Sequence, residues 1–249
     1  MKKYLYLMIA LAVLAGCKNR NKAKEAADAV PEEIELTVEP TDTLAAQKAA
    51  EALPEEPVFD IVTNMGTIRV KLYKDTPRHR DNFEKLALSG YYDSTLFHRV
   101  INGFMIQGGD PFTKDTALVA QYGEGGPKYT IPAEMRDADG APLHRHKKGA
   151  LAAARVGDLA NPFKASSGSQ FYLVQDPDHC VHLDGEYTVF GETVAGLNVI
   201  DKIAAVATDR RDRPMADVRI LSIRPNPELN EIERQNELSG TNFAEGKAE

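Results

Sequence analysis

Residues Phe97 to Asp110 read FHRVINGFMIQGGD, and the fold of the chain turns on how this stretch is read. It sets one arginine, Arg99, and one glutamine, Gln107, among Phe97, Val100, Ile101, Phe104, Met105 and Ile106. Gly108, Gly109 and Asp110 close it. It holds no serine or cysteine nucleophile and only a single carboxylate, at its end. On composition alone it is a core strand, a short apolar run bounded by glycine, with its arginine held by an ion pair.

The surrounding segments follow the same grammar. Upstream, Phe59-Asp60-Ile61-Val62 and Thr67 to Leu72 flank Asn64-Met65-Gly66. Alternation of Ile68, Val70 and Leu72 marks a half-buried strand, and the glycine between the segments marks a hairpin. Thr76-Pro77, then Phe83, Leu86 and Ala87, then Gly90, predict a helix with Thr as N-cap, Pro at the first position and Gly beyond the end. Downstream of Leu96, short apolar runs alternate with turns such as Gly123-Glu124-Gly125-Gly126-Pro127 and Ser167-Gly168-Ser169. Gln170 to Val174, Tyr187 to Phe190 and Val218 to Ile223 read as strands, and Leu197 to Ala205 as a second helix. Many short strands with two helices indicate a mainly β chain, an antiparallel barrel or sandwich.

The folded part is bracketed. Residues 1–17 have a basic start (Lys2, Lys3), an apolar run from Tyr4 to Leu14 and small residues ending at Cys17. The run is shorter than the roughly 20 residues that cross a bilayer and fits a secretory signal. Leu14-Ala15-Gly16-Cys17 resembles the lipobox of bacterial lipoproteins, which implies lipid attachment at Cys17 and anchoring in the bacterial cell envelope, facing the periplasm. Cys180, the second of two cysteines, is then left without an intramolecular partner. Residues 18–56 lack aromatics and are rich in Ala, Glu, Lys, Pro and Thr, the composition of a flexible tether. A folded domain at 57–225 follows, then a polar tail at 226–249 in which Leu229 to Leu238 reads as an exposed helix. Among 249 residues the net charge is −7, which argues against a general nucleic-acid surface.

Common catalytic signatures are missing: there is no G-x-S-x-G, H-E-x-x-H or Walker loop. Gly123-Glu124-Gly125 lacks the third glycine of a dinucleotide loop. His144-Arg145-His146-Lys147-Lys148 reads as a solvated basic loop, and His179-Cys180-Val181-His182 lacks the second cluster a metal site needs. No metal and no cofactor are expected. The opening stretch, by contrast, resembles over fourteen positions the signature of the cyclophilin family of peptidyl-prolyl isomerases. Gly149 to Arg155, Ser167 to Tyr172, Leu183-Asp184-Gly185 and Val189-Phe190-Gly191 are similar to further segments of that family, in the same order, so that the likeness covers most of 58–224.

The resemblance implies an eight-stranded antiparallel barrel closed by two α-helices, and a monomer that acts on proline-containing polypeptides. It implies Arg99 and Gln107 as catalytic residues, the arginine in a dry surround. Phe104, Met105, Tyr172 and Leu183 would grip the proline ring. Ala154 would shape the groove for the residue before proline, and Arg155 would offer backbone contacts. Two positions depart from the pattern: His182 stands where many eukaryotic members have tryptophan, and Tyr187 where a histidine often lines the pocket. Tyr172 replaces a commoner phenylalanine, and its hydroxyl needs water or a partner. The expected function is isomerisation of X-Pro bonds in exported proteins; the alternative is a proline-peptide binding module without turnover.

Overall fold

The computed structural model describes residues 49–50 and 52–239. The signal, the lipobox at Cys17 and nearly all of the tether expected from the sequence lie outside the described residues. Eight strands form one antiparallel sheet in the order β10-β1-β2-β9-β6-β8-β4-β3. They are β1 (Val58–Thr63), β2 (Gly66–Leu72), β3 (Arg99–Ile101), β4 (Met105–Gly108), β6 (Ala150–Ala153), β8 (Phe171–Val174), β9 (Val189–Ala195) and β10 (Ile220–Pro225). Two short strands, β5 (Thr130–Ile131) and β7 (Ser166–Ser167), pair separately. The curled sheet is brought round on itself just before β3: Phe97 N donates to Val218 O at 2.9 Å, and Leu96 bridges Arg219. The mainly β fold with antiparallel pairing is the one expected.

The opening stretch is not one strand. It is a hairpin, β3 and β4, turned at Asn102-Gly103-Phe104 with Gly103 at φ 78°. Asn102-Gly103 is itself a turn dipeptide, and reading the stretch as one apolar run passed over it. The hairpin register pairs Arg99 with Gln107, Val100 with Ile106 and Ile101 with Met105. Gly109, at φ 87°, lies so close to β8's lead-in that a Cβ there would sit 2.3 Å from Ser169 O. Only glycine allows that approach.

Strands β4, β6 and β8 are buried on both faces, and period-two alternation divides their side chains between two clusters. Ile106, Leu151, Ala153, Phe171 and Leu173 point into the barrel core with Phe59, Phe83 and Phe190. Met105, Ala150, Ala152, Ala154, Tyr172 and Val174 point outward, with Cys180, Leu183 and Val189 over them. Each large apolar side chain so buried contributes roughly 1.5–3 kcal/mol. The outward cluster is the floor of the site described below.

Three helices pack on the sheet: α1 (Pro77–Leu88), α2 (Leu197–Ala204) and α3 (Pro227–Ser239). The start of α1 differs from expectation. Thr76 is the N-cap residue, but its side chain makes no capping bond and donates to Tyr73 O at 3.3 Å. A distant carboxylate does the capping: Arg78 N and His79 N donate to Glu134 at 3.0 and 3.1 Å. An anion at a helix start also meets the positive end of its dipole. The segment read as a tail carries α3, and this helix is tied down. Asn230, on its buried side, accepts from Val58 N at 2.7 Å and donates to Val58 O at 3.0 Å, while Glu233 pairs with Lys71 at 3.2 Å.

Glu84 on α1 is buried with Arg80 3.6 Å away, and the loss of hydration pushes its carboxyl up to about 7. A carboxyl raised from its ordinary 4.5 stabilises the fold fully below that value, and the contribution is lost as pH climbs to about 7. Glu84→Gln is therefore expected to raise the urea midpoint at pH 8 and to change it much less at pH 5. Equal shifts at both pH values would contradict this account.

Candidate functional site

The hairpin register places Arg99 and Gln107 side by side on one face, with Arg99 Nη1 donating to Gln107 Oε1 at 3.4 Å. On its other side Arg99 Nε lies 3.7 Å from Asp212 Oδ2, which belongs to the loop running into β10. The arginine side chain is 43% exposed. It is thus neither buried by an ion pair nor enclosed in a dry surround, as the apolar neighbours in sequence suggested. Phe97, Val100 and Ile106 turn into the core, while Ile101, Phe104 and Met105 lie on the outward side with it, and the guanidinium stands on the edge strand of the sheet.

Gln107 is held from behind. Its Nε2 donates to Gln170 Oε1 at 3.0 Å, and Gln170 Nε2 in turn donates to Gly123 O at 2.9 Å and Gly125 O at 2.7 Å. Gln170 is buried. This relay leaves the Gln107 amide oxygen turned to Arg99, so donor and acceptor orientation are both set. Neither Gln170 nor Asp212 was singled out from the sequence. Polar residues next to a strand end carry no local signal of which distant loop they join.

Beside this pair lies an apolar cluster. Met105, 2% exposed, Tyr172, 4% exposed, and Leu183 form it, with half-buried Phe104 at one edge. Met105 and Gln107 on β4 face Val174 and Tyr172 on β8, and Tyr172 faces Ala152 on β6. The wall is the segment from Cys180 to Tyr187, which includes a 3₁₀ turn at Val181–Leu183. Tyr187 meets Tyr172 edge-on with ring centroids 6.1 Å apart. His182 is exposed on the rim, its ring roughly parallel to Phe104 at 6.5 Å. Ala154 continues the groove past β6, its N–H donating to Gln170 O at 3.0 Å.

Arg155 does more than offer its backbone. Its guanidinium lies 4.3 Å over the Tyr187 ring, donates through Nε to Glu186 O at 3.1 Å and pairs with Asp158. It clamps the wall to the strand by a cation–π contact. Cys180 is buried in the wall, and burial pushes its thiol up to about 12, so it is a packing residue and not a nucleophile. Among the described residues no cluster of three His, Cys, Asp or Glu side chains is arranged to hold a metal.

The hydroxyl of Tyr172 has found its partner in the segment read as a solvated loop. His146, 3% exposed, places Nε2 2.8 Å from Tyr172 Oη and Nδ1 2.9 Å from Asp184 Oδ1. The reading failed because Arg145, Lys147 and Lys148 on either side are charged. A buried tyrosine in need of a hydrogen bond was the signal that could have found it.

The family sequence model of the cyclophilin type peptidyl-prolyl cis-trans isomerase/CLD matches residues 58–225. The chain is 38% identical over 168 residues to the peptidyl-prolyl cis-trans isomerase CYP18-1 of Arabidopsis thaliana, covering 66% of this chain and 94% of that one. It is 35% identical over 173 residues to the peptidyl-prolyl cis-trans isomerase-like 1 of Mus musculus, covering 69% and 94%. Of the longer isomerase-like 2 of Rhizopus delemar, 38% identical over 164 residues, it spans 28%. Among solved structures, a cyclophilin type isomerase of Cryptosporidium parvum aligns with TM-score 0.58 at 28% identity, over 69% of this chain and 98% of that one. The same protein in the presence of the dipeptide Ala-Pro aligns with TM-score 0.57 at 28% identity, over 68% and 98%.

Gln170→Leu keeps the size of the side chain but leaves the carbonyls of Gly123 and Gly125 and the Gln107 amide without their partner. The expected cost is about 1–3 kcal/mol in urea unfolding, with faster hydrogen exchange of the Gln107 side-chain amide by NMR. Unchanged exchange would show that the relay does not hold Gln107.

Proposed function

The chain belongs to the family of cyclophilin-type peptidyl-prolyl cis-trans isomerases, and from that premise we propose that Arg99 and Gln107 drive the rotation of X-Pro bonds in exported polypeptides. The X-Pro bond turns slowly because rotation breaks amide resonance, at a barrier of ~18–20 kcal/mol. No bond to substrate is made or cut, so no nucleophile is needed. Twisting localises a lone pair on the prolyl nitrogen. A cationic donor beside that nitrogen favours the twisted amide over either planar form, which is catalysis by differential binding. Lowering the barrier by about 7 kcal/mol accelerates rotation roughly 10⁵-fold.

The observation that carries this reading is the hairpin register that sets Arg99 against Gln107 beside the cluster of Phe104, Met105, Tyr172 and Leu183. Arg99 is the right residue type because it stays charged and presents fixed donors. Proline packs on this cluster, Ala154 and Arg155 border the groove for the residues before it, and Gln107 orients the arginine and the substrate carbonyl. With Arg99 half-exposed, the substrate itself excludes water and strengthens the guanidinium's field on binding. The long 3.4 Å contact to Gln107 and the exposed position of His182 favour one second reading, a module that binds proline segments without turnover.

The address is a bacterial envelope, with Cys17 lipidated, 18–56 as tether and the domain facing the periplasm as a monomer. The support for this is the sequence from Lys2 to Cys17.

The soluble domain should accelerate cis/trans exchange of a proline peptide in exchange NMR, and Arg99→Ala should reduce kcat/KM by about 10²-fold or more. Peak shifts on binding without faster exchange would favour the binding module. In a bacterial host the full chain should fractionate with membranes and Cys17→Ser with the soluble fraction; identical fractionation would remove the anchor.

A further inference from the structure

Three groups form a buried chain behind this apolar cluster. His146 takes two hydrogen bonds to one carboxylate oxygen, from its own N–H at 2.8 Å and from Nδ1 at 2.9 Å to Asp184 Oδ1. An ionised carboxylate only accepts, so Nδ1 carries the proton. The neutral imidazole then has a bare Nε2, and the group 2.8 Å from it is the Tyr172 hydroxyl, which must donate. The tautomer and the hydroxyl direction are both fixed by the carboxylate at the far end. The His146 side chain is fully buried and that of Asp184 is 15% exposed, and the His146 and Tyr172 rings lie 7° from parallel.

The two ends of this chain belong to opposite sides of the cluster. Tyr172 is the floor on β8, and Asp184 lies in the wall between Leu183 and Tyr187. Resting on the assignment of Tyr172 and Leu183 as proline-gripping residues, we infer that His146 is a positioning residue of the isomerase: its neutral imidazole ties floor to wall and keeps the Tyr172 hydroxyl proton out of the proline pocket. The pocket then shows proline an aromatic face with no free donor. When His146 gains a proton, Nε2–H becomes a donor to Tyr172 Oη, and the phenol proton is released to point elsewhere. A polar group appears in an apolar floor, and proline binds less well in ground state and transition state alike. That is a KM effect.

Rotation of an amide moves no proton, so acid sensitivity of KM reports the surroundings of the proline-gripping residues. The groups facing His146 are Asp184 and Tyr172 in contact and His182 on the same wall; Tyr187, Cys180 and Arg155 face Tyr172. Burial lowers the His146 pKa from its ordinary value, with Asp184 opposing, and raises that of Tyr172, so both are neutral at pH 7. The window of change lies below pH 6.5.

The test is KM and kcat for a proline peptide by exchange NMR between pH 5 and 8. In the native chain KM should rise about 3–10-fold toward pH 5, with kcat nearly constant. His146→Gln offers an acceptor and a donor but cannot be protonated, so its KM should be flat with pH. His146→Leu should show a raised KM throughout. Tyr172→Phe, which retains the ring, should lose the acid rise although His146 is present, whereas His182→Gln should retain it. Persistence of the rise in His146→Gln or Tyr172→Phe, or equal changes in kcat and KM, would overturn the inference. Should the native chain prove inactive, the enzymatic reading fails by itself, and Ala-Pro affinity measured by NMR titration in the same variants still decides the role of His146 by the same pattern.

Discussion

The constraint on which the rest depends is that β4, β6 and β8 have no solvent face. A strand has two sides, and here one side builds the barrel core while the other builds a second packed cluster. Met105 and Ile106 are neighbours in sequence and belong to different clusters, as do Tyr172 and Leu173. The two clusters are therefore coupled, because shifting a side chain in one moves the backbone that carries the other. The same constraint explains the near-continuous apolar runs of these strands, which would otherwise read as parallel sheet.

Rigidity at the floor contrasts with the means by which polar groups are positioned. Arg99, Gln107, Tyr172 and Tyr187 are each oriented by a side chain from another part of the chain: Asp212, Gln170, His146 and Arg155 in turn. For the Gln107–Gln170 and Tyr172–His146 contacts, which engage buried side chains, low local dielectric makes the bond strong and leaving it unmade costly, whereas the half-exposed Arg99–Asp212 pair is weak. The acting groups lie on short strands and turns, while the supporting groups come mostly from loops.

That division decides what the sequence disclosed. Alternation, turn glycines and the Thr76-Pro77 helix start are local signals, so the strands β1, β2, β8 and β10 and the helices α1 and α2 were legible. The fourteen-residue signature led to Arg99 and Gln107. Supporting contacts are long-range, and nothing near Gln170 or His146 announces its partner. Glu134 shows the same limit, since a helix start whose Thr76 looked sufficient is capped from 55 residues away. The basic residues around His146 misled in a specific way: charge density describes a segment on average, and one inward side chain among five does not alter that average.

Asn230 gives the barrel's first strand an unusual ending. β10 finishes at Pro225, which has no N–H to offer, and Asn226 N carries the ladder one step further to Val58 O at 2.8 Å, leaving the Val58 N–H without a partner from that strand. The Asn230 carboxamide supplies one oxygen and one NH₂ at the spacing a peptide group would. A side chain thus adds, at the end of the ladder, the acceptor that the Val58 N–H needs. The ladder ends with Val58 N–H and C=O both paired, which helps blunt this strand end against pairing with another chain.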